Sequence, residues 1–360
     1  MTTPTCAPVR HQPFDAGEPR AIPHRPIQIW LMTVAALVLA MIIVGGLTRL
    51  TESGLSITEW QPILGAIPPL SDADWQTAFA KYQTIPQFKS VNNAMSLSDF
   101  KFIFWWEWAH RFLGRFIGLA LTLPFAGFWL SGRLTPALSC KLLALTCLVG
   151  IQGFAGWYMV KSGLADRIDV SPCRLALHLS LAFLILGGLV WLILDLSKRR
   201  PNAAAPALRR WAYTIGALVF AQVALGGLVA GLKAGRAFNT WPLMDGHLIP
   251  EDYTRLDPWW INFTENMATV QFNHRLIAYL IAGLALWHVA CVFRLPGEPR
   301  AGFTAALLAG GVFAQMTLGI ATVLAGVPLG LGIAHQGMAA IVFVIAVTHA
   351  HGMAYTGATS

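Results

Sequence analysis

The sequence predicts an all-α integral membrane protein whose eight transmembrane helices form two pseudosymmetric four-helix bundles. Three observations predict it. Of the 360 residues, 56% are hydrophobic and only 12% charged, with a mean hydropathy of +0.58. A soluble chain carries about twice that charged fraction. Apolar runs of roughly 20 residues, long enough to cross a ~30 Å hydrocarbon core, occur at 29–47, 109–130, 142–160, 175–194, 211–232, 270–293, 303–327 and 333–349. Finally, the chain repeats itself.

The repeat is read at nearly constant offsets. "GGLTRLTESGLSITEWQPILGAIPP" from Gly45 matches "GGLVAGLKAGRAFNTWPLMDGHLIP" from Gly226, 181 residues on. "EWAHRFLGRFIGLAL" matches "QFNHRLIAYLIAGLAL" at 164, which sets His110 on His274 and Arg111 on Arg275. "GIQGFAGW" matches "FAQMTLGI" at 163, pairing Gln152 with Gln315 and Gly156 with Gly319; "LALHLSLAF" matches "GIAHQGMAA", pairing His178 with His335. Each half therefore contributes four spans, with a histidine near the start of its second and fourth. An even number of spans per half makes the repeat parallel, about an axis along the membrane normal.

In chain order, residues 1–28 read as a Pro-rich tail with no apolar signal region. Residues 29–195 form the first bundle, 196–210 a basic linker, 211–352 the second bundle and 353–360 a short tail. The linker carries Lys198, Arg199, Arg200, Arg209 and Arg210; the short connections 131–141 and 294–300 are also net basic. By the positive-inside rule these segments and both termini are cytoplasmic, in a bacterial plasma (inner) membrane. The +8 net charge then reflects topology, and no nucleic-acid partner is implied. The long connections, about 49–104 and 233–268, face outward. In the first, "SDADWQTAFAKY" from Ser71 opens as Ser-x-x-Asp and sets Trp75, Ala78 and Phe79 on one face, the pattern of a capped amphipathic helix on the outer surface or a lid over the first bundle. His247, in the second, has no histidine mate and reads as solvated. Pro124 should kink the second span. Cys6, Cys140, Cys147, Cys173 and Cys291 show no CxxC spacing and no pair in an outward loop, so neither a disulfide nor a zinc site is expected.

Ionisable groups in a bilayer are costly and usually functional. One histidine in a membrane helix is most simply a hydrogen-bonding residue. Four at repeat-related positions, two per bundle, suit paired axial ligands of haem iron. Zinc would be under-coordinated by two. A guanidinium beside each pair, Arg111 or Arg275, suits a propionate, although snorkelling explains it as well. The halves differ one turn before the first histidine: Glu107 in one, Gln271 in the other. A carboxyl can move protons or stabilise a developing cation, whereas an amide cannot. This predicts a reactive pocket in the first half and an electron-transfer pocket in the second. The bland reading of Glu107 is an interfacial carboxylate paired with Arg111.

These motifs, with "EWAHRFLGR", "FNTWPLMDGHLIP", "FNHRLIAY" and "AHQGMA" the most specific, resemble the haem A synthase family, in its proteobacterial and mitochondrial group, from about residue 29 to 352. The resemblance implies an oxidoreductase that converts haem O to haem A, oxidising the C8 methyl to a formyl group through successive hydroxylations. It implies haem b held by His274 and His335. It further implies substrate haem held by His110 and His178, with Glu107 in the chemistry; Arg275 at the haem b and Arg111 at the substrate propionates remain candidates from their places beside the histidines alone. Haem O synthase and cytochrome oxidase assembly factors are the partners it suggests, with a homo-oligomer left open. Some relatives carry a cysteine pair in the outward loops; this chain does not.

One alternative from another class stands. His288 and His349 each lie fourteen residues after a histidine of the second half, close to the same face after about 21 Å of helix. That is the spacing of a b-type electron-transfer cytochrome with two stacked haems. The first half has Pro124 and Leu192 at the matching positions, which counts against it. A haem transporter would use the same histidines but leaves the Glu107/Gln271 difference without a purpose.

Overall fold

A computed structural model describes residues 24–165, 167–197, 199–201, 205–295 and 299–357. Most of the N-terminal tail, part of the basic linker and the last residues, including Cys6, thus lie outside the described residues. Among those described, eight helices are long and apolar enough to cross a membrane, and the chain is a multi-pass membrane protein. They are α1 (Arg25–Leu50), α2 (Leu97–Leu130), α3 (Pro136–Ala165), α4 (Pro172–Asp195), α5 (Pro206–Gly231), α6 (Met267–Val292), α7 (Pro299–Leu324) and α8 (Leu329–Ala354). Six of the eight carry Pro in their first two positions or just before them, where a missing N–H costs nothing.

α2 is the longest, at 34 residues. It starts twelve positions before the apolar run that announced it, at a capping box between Ser96 and Asp99. At 1.5 Å per residue it is about 50 Å long, well beyond the hydrocarbon thickness. Its first turns receive the short helix Asp72–Tyr82, which is capped by Ser71 and Asp74 as its sequence predicts. That helix turns Trp75, Phe79 and Tyr82 onto Phe100 and Phe104, with ring centroids 5.0 to 5.3 Å apart. Its apolar face is therefore spent on protein. α2 continues through Pro124 to Leu130 as one helix.

Within the first half, α1 packs on α2, α2 on α3, α3 on α4 and α4 back on α1; in the second, α5 through α8 close in the same order. The halves meet through α4 with α5, α1 with α8, and α4 with α8. Lipid gives helices no hydrophobic drive to associate, so close backbone approach over small residues does more. A Cβ added at Gly227 would come within 2.8 Å of Ala176 Cα, and one at Gly231 within 2.7 Å of Pro172 Cα. These glycines let α5 lie directly on α4. On the other seam Gln336 Nε2 donates to the carbonyl of Ile42 at 2.6 Å, over Gly46. Phe183 of α4 meets Phe343 of α8 at 5.5 Å in the shared core.

The two long connections lie at one end of the bundle. At the other end Asp195 accepts from Lys141 at 2.8 Å and contacts His351 at 3.0 Å. There a two-stranded antiparallel pairing joins Arg199–Pro201 to Tyr355–Gly357. Cys140, Cys147, Cys173 and Cys291 are free thiols.

Candidate functional site

Each of the four repeat-related histidines lies against a glycine of the neighbouring helix. A Cβ at Gly45 would meet His110 Nε2 at 3.2 Å; one at Gly226 would meet His274 Cε1 at 3.4 Å. Gly156 would meet His178 Cε1 at 2.9 Å and Gly319 would meet His335 Cε1 at 2.8 Å. These distances leave little or no room for a methyl group, so the glycines form cradles for the imidazoles. Glutamines hold the backbone beneath three of the rings. Gln152 donates to the carbonyl of His178 at 3.0 Å, Gln315 to that of His335 at 3.0 Å and Gln222 to that of His274 at 2.8 Å. The repeat mate of Gln222 is Met41, so His110 has no such support.

His110 and His178 face one another with ring centroids 6.4 Å apart. Imidazole nitrogens bind transition metals at about 2 Å, so two rings sharing one ion through opposed nitrogens have centres about 6 Å apart. His274 and His335 line one cavity of about 300 Å³ between α5, α6, α7 and α8, to which α1 and α4 also contribute, with Arg275, Gln271 and Gln315 on its wall. The buried Nδ1 atoms of His178, His274 and His335 lack a hydrogen-bond partner, and orphaned buried polar atoms are rare without a ligand or a role. Paired imidazoles over glycine cradles, with a largely apolar cavity at the second pair, fit a bis-histidine haem in donor set.

Glu107 is 2% exposed. Its Oε1 accepts from Arg111 Nε at 3.1 Å and Nη2 at 2.6 Å, and its Oε2 from Ser56 Oγ at 2.7 Å and the Ile57 amide at 2.8 Å. Arg111 also donates to the carbonyls of Ile57 and Glu59 at 2.8 and 3.0 Å. Glu107 and Arg111 thus pin the first loop onto α2, one turn from His110. Glu107 and the loop carbonyls take most of the donors of Arg111 in this structure. In the second half the loop is held differently. Gln271 and Arg275 both donate to the carbonyl of Phe238, the mate of Ile57, at 2.8 and 3.3 Å. Gln271 Oε1 and Arg275 Nη1 are left without partners. The carboxylate–amide difference is therefore built into two separately organised pockets.

His288 and His349 are 1% and 0% exposed, and their Nε2 atoms lie 2.8 Å apart. His349 Nδ1 also contacts Thr304 Oγ1 at 2.8 Å. Two nitrogens at hydrogen-bond distance leave no space for an iron, which needs about 4 Å between opposed donors. His247 is exposed, 3.4 Å from Glu251. Sequence reasoning missed the glycine cradles, Gln222, and the charged residues Arg49, Glu52, Lys233 and Arg236, which also line the cavity.

Fold and site together define a multi-pass helical membrane protein with two pairs of inward-facing histidines, one accompanied by a buried carboxylate. Residues 28–347 match the family described as cytochrome oxidase assembly protein. The chain is 50% identical to Heme A synthase of Parvibaculum lavamentivorans, over 92% of this chain and 95% of that protein. It is 51% identical to Heme A synthase of Agrobacterium fabrum (91% and 90% covered) and 50% identical to that of Azorhizobium caulinodans (94% and 95%). The chain belongs to the haem A synthase family.

Proposed function

We propose that this protein converts haem O to haem A, oxidising the C8 methyl to a formyl group through successive hydroxylations, in the first-half pocket. The observation that carries this reading is the difference between two otherwise matched sites: both pair histidines over glycines, and only the first has a carboxylate, Glu107, beside them. His110 and His178 hold the substrate haem. His274 and His335 hold haem b, which when bound there supplies one-electron transfer. Glu107 is fixed by Ser56, Ile57 and Arg111 before any substrate arrives. A carboxylate preorganised in a low-dielectric site stabilises positive charge developing on the oxidised carbon far more than it would in water. The glutamines behind His178, His274 and His335 orient the ligands, a supporting role that such sites need.

We also place the protein in the cell membrane with both termini cytoplasmic, on the basic residues of the linker. Haem O synthase and the proteins assembling cytochrome oxidase are its natural neighbours.

The test is chromatography of haems extracted from the purified protein, together with the spectrum of His274→Met and His335→Met variants. Haem b accompanied by haem O, its hydroxymethyl form or haem A supports the reading. Haem b alone overturns the synthase assignment. A low-spin haem b signal that survives both substitutions overturns the ligand assignment.

A further inference from the structure

The second-half cavity ends, on the side of the long connections, in an unusual collection of charge. Arg49, Lys233, Arg236 and Arg275 line it, with Glu52 as the single carboxylate. Lys233 Nζ lies 2.9 Å from Glu52 Oε1, and Asp169 approaches the same nitrogen from behind the lining, also at 2.9 Å. Arg236 stands 3.7 Å from Glu52 and Arg49 3.9 Å from Asp169. Arg49 belongs to α1 and reaches across the seam to donate to the carbonyl of Ala230 at 3.0 Å. Its Nε, and Nη1 of Arg275, are buried without a partner. Cations outnumber carboxylates at this end, and two buried guanidinium nitrogens point to no acceptor in the protein. Such an arrangement calls for an anion, and guanidinium groups match carboxylates best.

The first half does not repeat this. At the constant offset of 181, the mates of Arg49, Lys233 and Arg236 are Ala230, Glu52 and Leu55. Arg111, the mate of Arg275, is occupied by Glu107 and two carbonyls.

We infer that Arg49, Lys233 and Arg236 join Arg275 in a carboxylate clamp for the propionates of the second-half haem, so that the first half lends a residue to the other half's cofactor. The inference rests on the reading that haem b occupies the His274/His335 pocket. The clamp gives the two pockets different tasks. The second retains its haem, while the first, with Ala230, Glu52 and Leu55 at the matching positions, lets a finished product leave.

The test measures transfer of haem b from the purified protein to excess apomyoglobin, with the midpoint potential of the low-spin haem as a second readout. Lys233→Gln combined with Arg236→Gln should speed haem loss at least tenfold and shift the potential. Glu52→Gln, which removes the competing carboxylate, should slow the loss; a merely structural network would be weakened by either change. Arg49→Gln should act as the double variant does. Because Arg49 also braces α5, protein refilled with haem b dimethyl ester provides a control free of mutation. The ester should leave wild-type protein at least tenfold faster than haem b, and leave the double variant at nearly the rate of haem b. Equal rates for acid and ester in the wild type, or unchanged loss in the double variant, overturn the clamp. If His274→Met leaves the haem b signal intact, the underlying site assignment has failed, and that result is distinct from either.

Discussion

Lys233 Nζ lies 2.9 Å from Glu52 Oε1, and these two residues are mates in the internal repeat, 181 positions apart. Each follows the first helix of its half, and each takes a left-handed backbone with φ +55°, uncommon for residues other than glycine. Equivalent positions with opposite charge thus meet where the halves join. Burial works against the charge of Glu52, but the Lys233 hydrogen bond and the nearby Lys233, Arg49 and Arg236 charges prevail and hold its pKa below the usual value.

Charge reversal tests this seam. Lys233→Glu sets a third carboxylate beside Glu52 and Asp169 and should lower the thermal stability of the purified protein. The pair is about one-third exposed, so a loss on the order of 1 kcal/mol is expected. Adding Glu52→Lys should recover about half, since Asp169 still faces the wrong charge. The pH dependence has a definite sign. A carboxyl whose folded pKa is lowered contributes fully above its unfolded value of about 4.5 and progressively less as the pH falls through the folded one. Wild type should therefore lose more stability than Glu52→Gln on acidification below that point. Parallel curves would remove Glu52 from the seam's energetics.

The glycine cradles separate the two pockets experimentally. Gly319→Ala drives a methyl to within 2.8 Å of His335 Cε1, which forces the ring to rotate or the helices to part. Its low-spin haem b absorbance should fall or shift. Gly156→Ala does the same to His178 at 2.9 Å; there haem b should remain and haem A output should drop at least tenfold. Gly226→Ala, at 3.4 Å, should be milder. An unperturbed haem b spectrum in Gly319→Ala would mean that His335 is not a ligand.

His288 and His349 form a hydrogen-bonded pair inside the second half. Haem-to-protein stoichiometry should therefore give one resident haem b per chain, and His288→Ala should leave it unchanged. The substitution orphans His349 Nε2 in a buried site and should cost about 1–3 kcal/mol of stability. A second bis-histidine haem lost in His288→Ala would restore the electron-carrier reading.

What the sequence made legible follows from what a repeat can carry. His110, His178, His274 and His335 stood out because alignment of the halves superposes them, and Glu107 stood out because Gln271 breaks the match. The i, i+4 spacing of Glu107 and Arg111 pointed to their pairing. Ser56 and the Ile57 amide, about fifty residues away, could not be inferred from it. The first turns of α2 escaped because Asp99, Lys101 and Glu107 interrupt the apolar residues there and weaken the hydropathy signal. The cation clamp escaped for a deeper reason. Arg49 is near Lys233 and Arg236 only because its side chain reaches from the end of α1 to the end of α5 across the seam, and a repeat compares the halves without showing how they dock.

Glu107→Gln decides whether the difference between the pockets is catalytic. The amide keeps the shape of the side chain and can still accept from Ser56 and Ile57, but its NH₂ group then faces Arg111, which at present donates twice to Oε1. The substitution therefore removes the charge and also loosens one anchor of the loop. Ser56→Ala separates these effects: it deletes the 2.7 Å hydrogen bond to Oε2 and leaves the charge and Arg111 in place. If Glu107 acts as a fixed charge for the oxidation, Glu107→Gln should yield inserted protein with normal haem b and little or no haem A, with the hydroxymethyl intermediate accumulating if the second oxidation depends more on the carboxylate. Ser56→Ala should retain most activity, since one hydrogen bond to a charged group is worth about 1.5–3 kcal/mol and the remaining three contacts still hold the carboxylate. Chromatography of haems extracted from cells expressing each variant reads both outcomes. Equal loss of haem A in the two variants would reduce Glu107 to an anchor of the loop, and near-normal haem A from Glu107→Gln would move the chemistry away from this residue altogether.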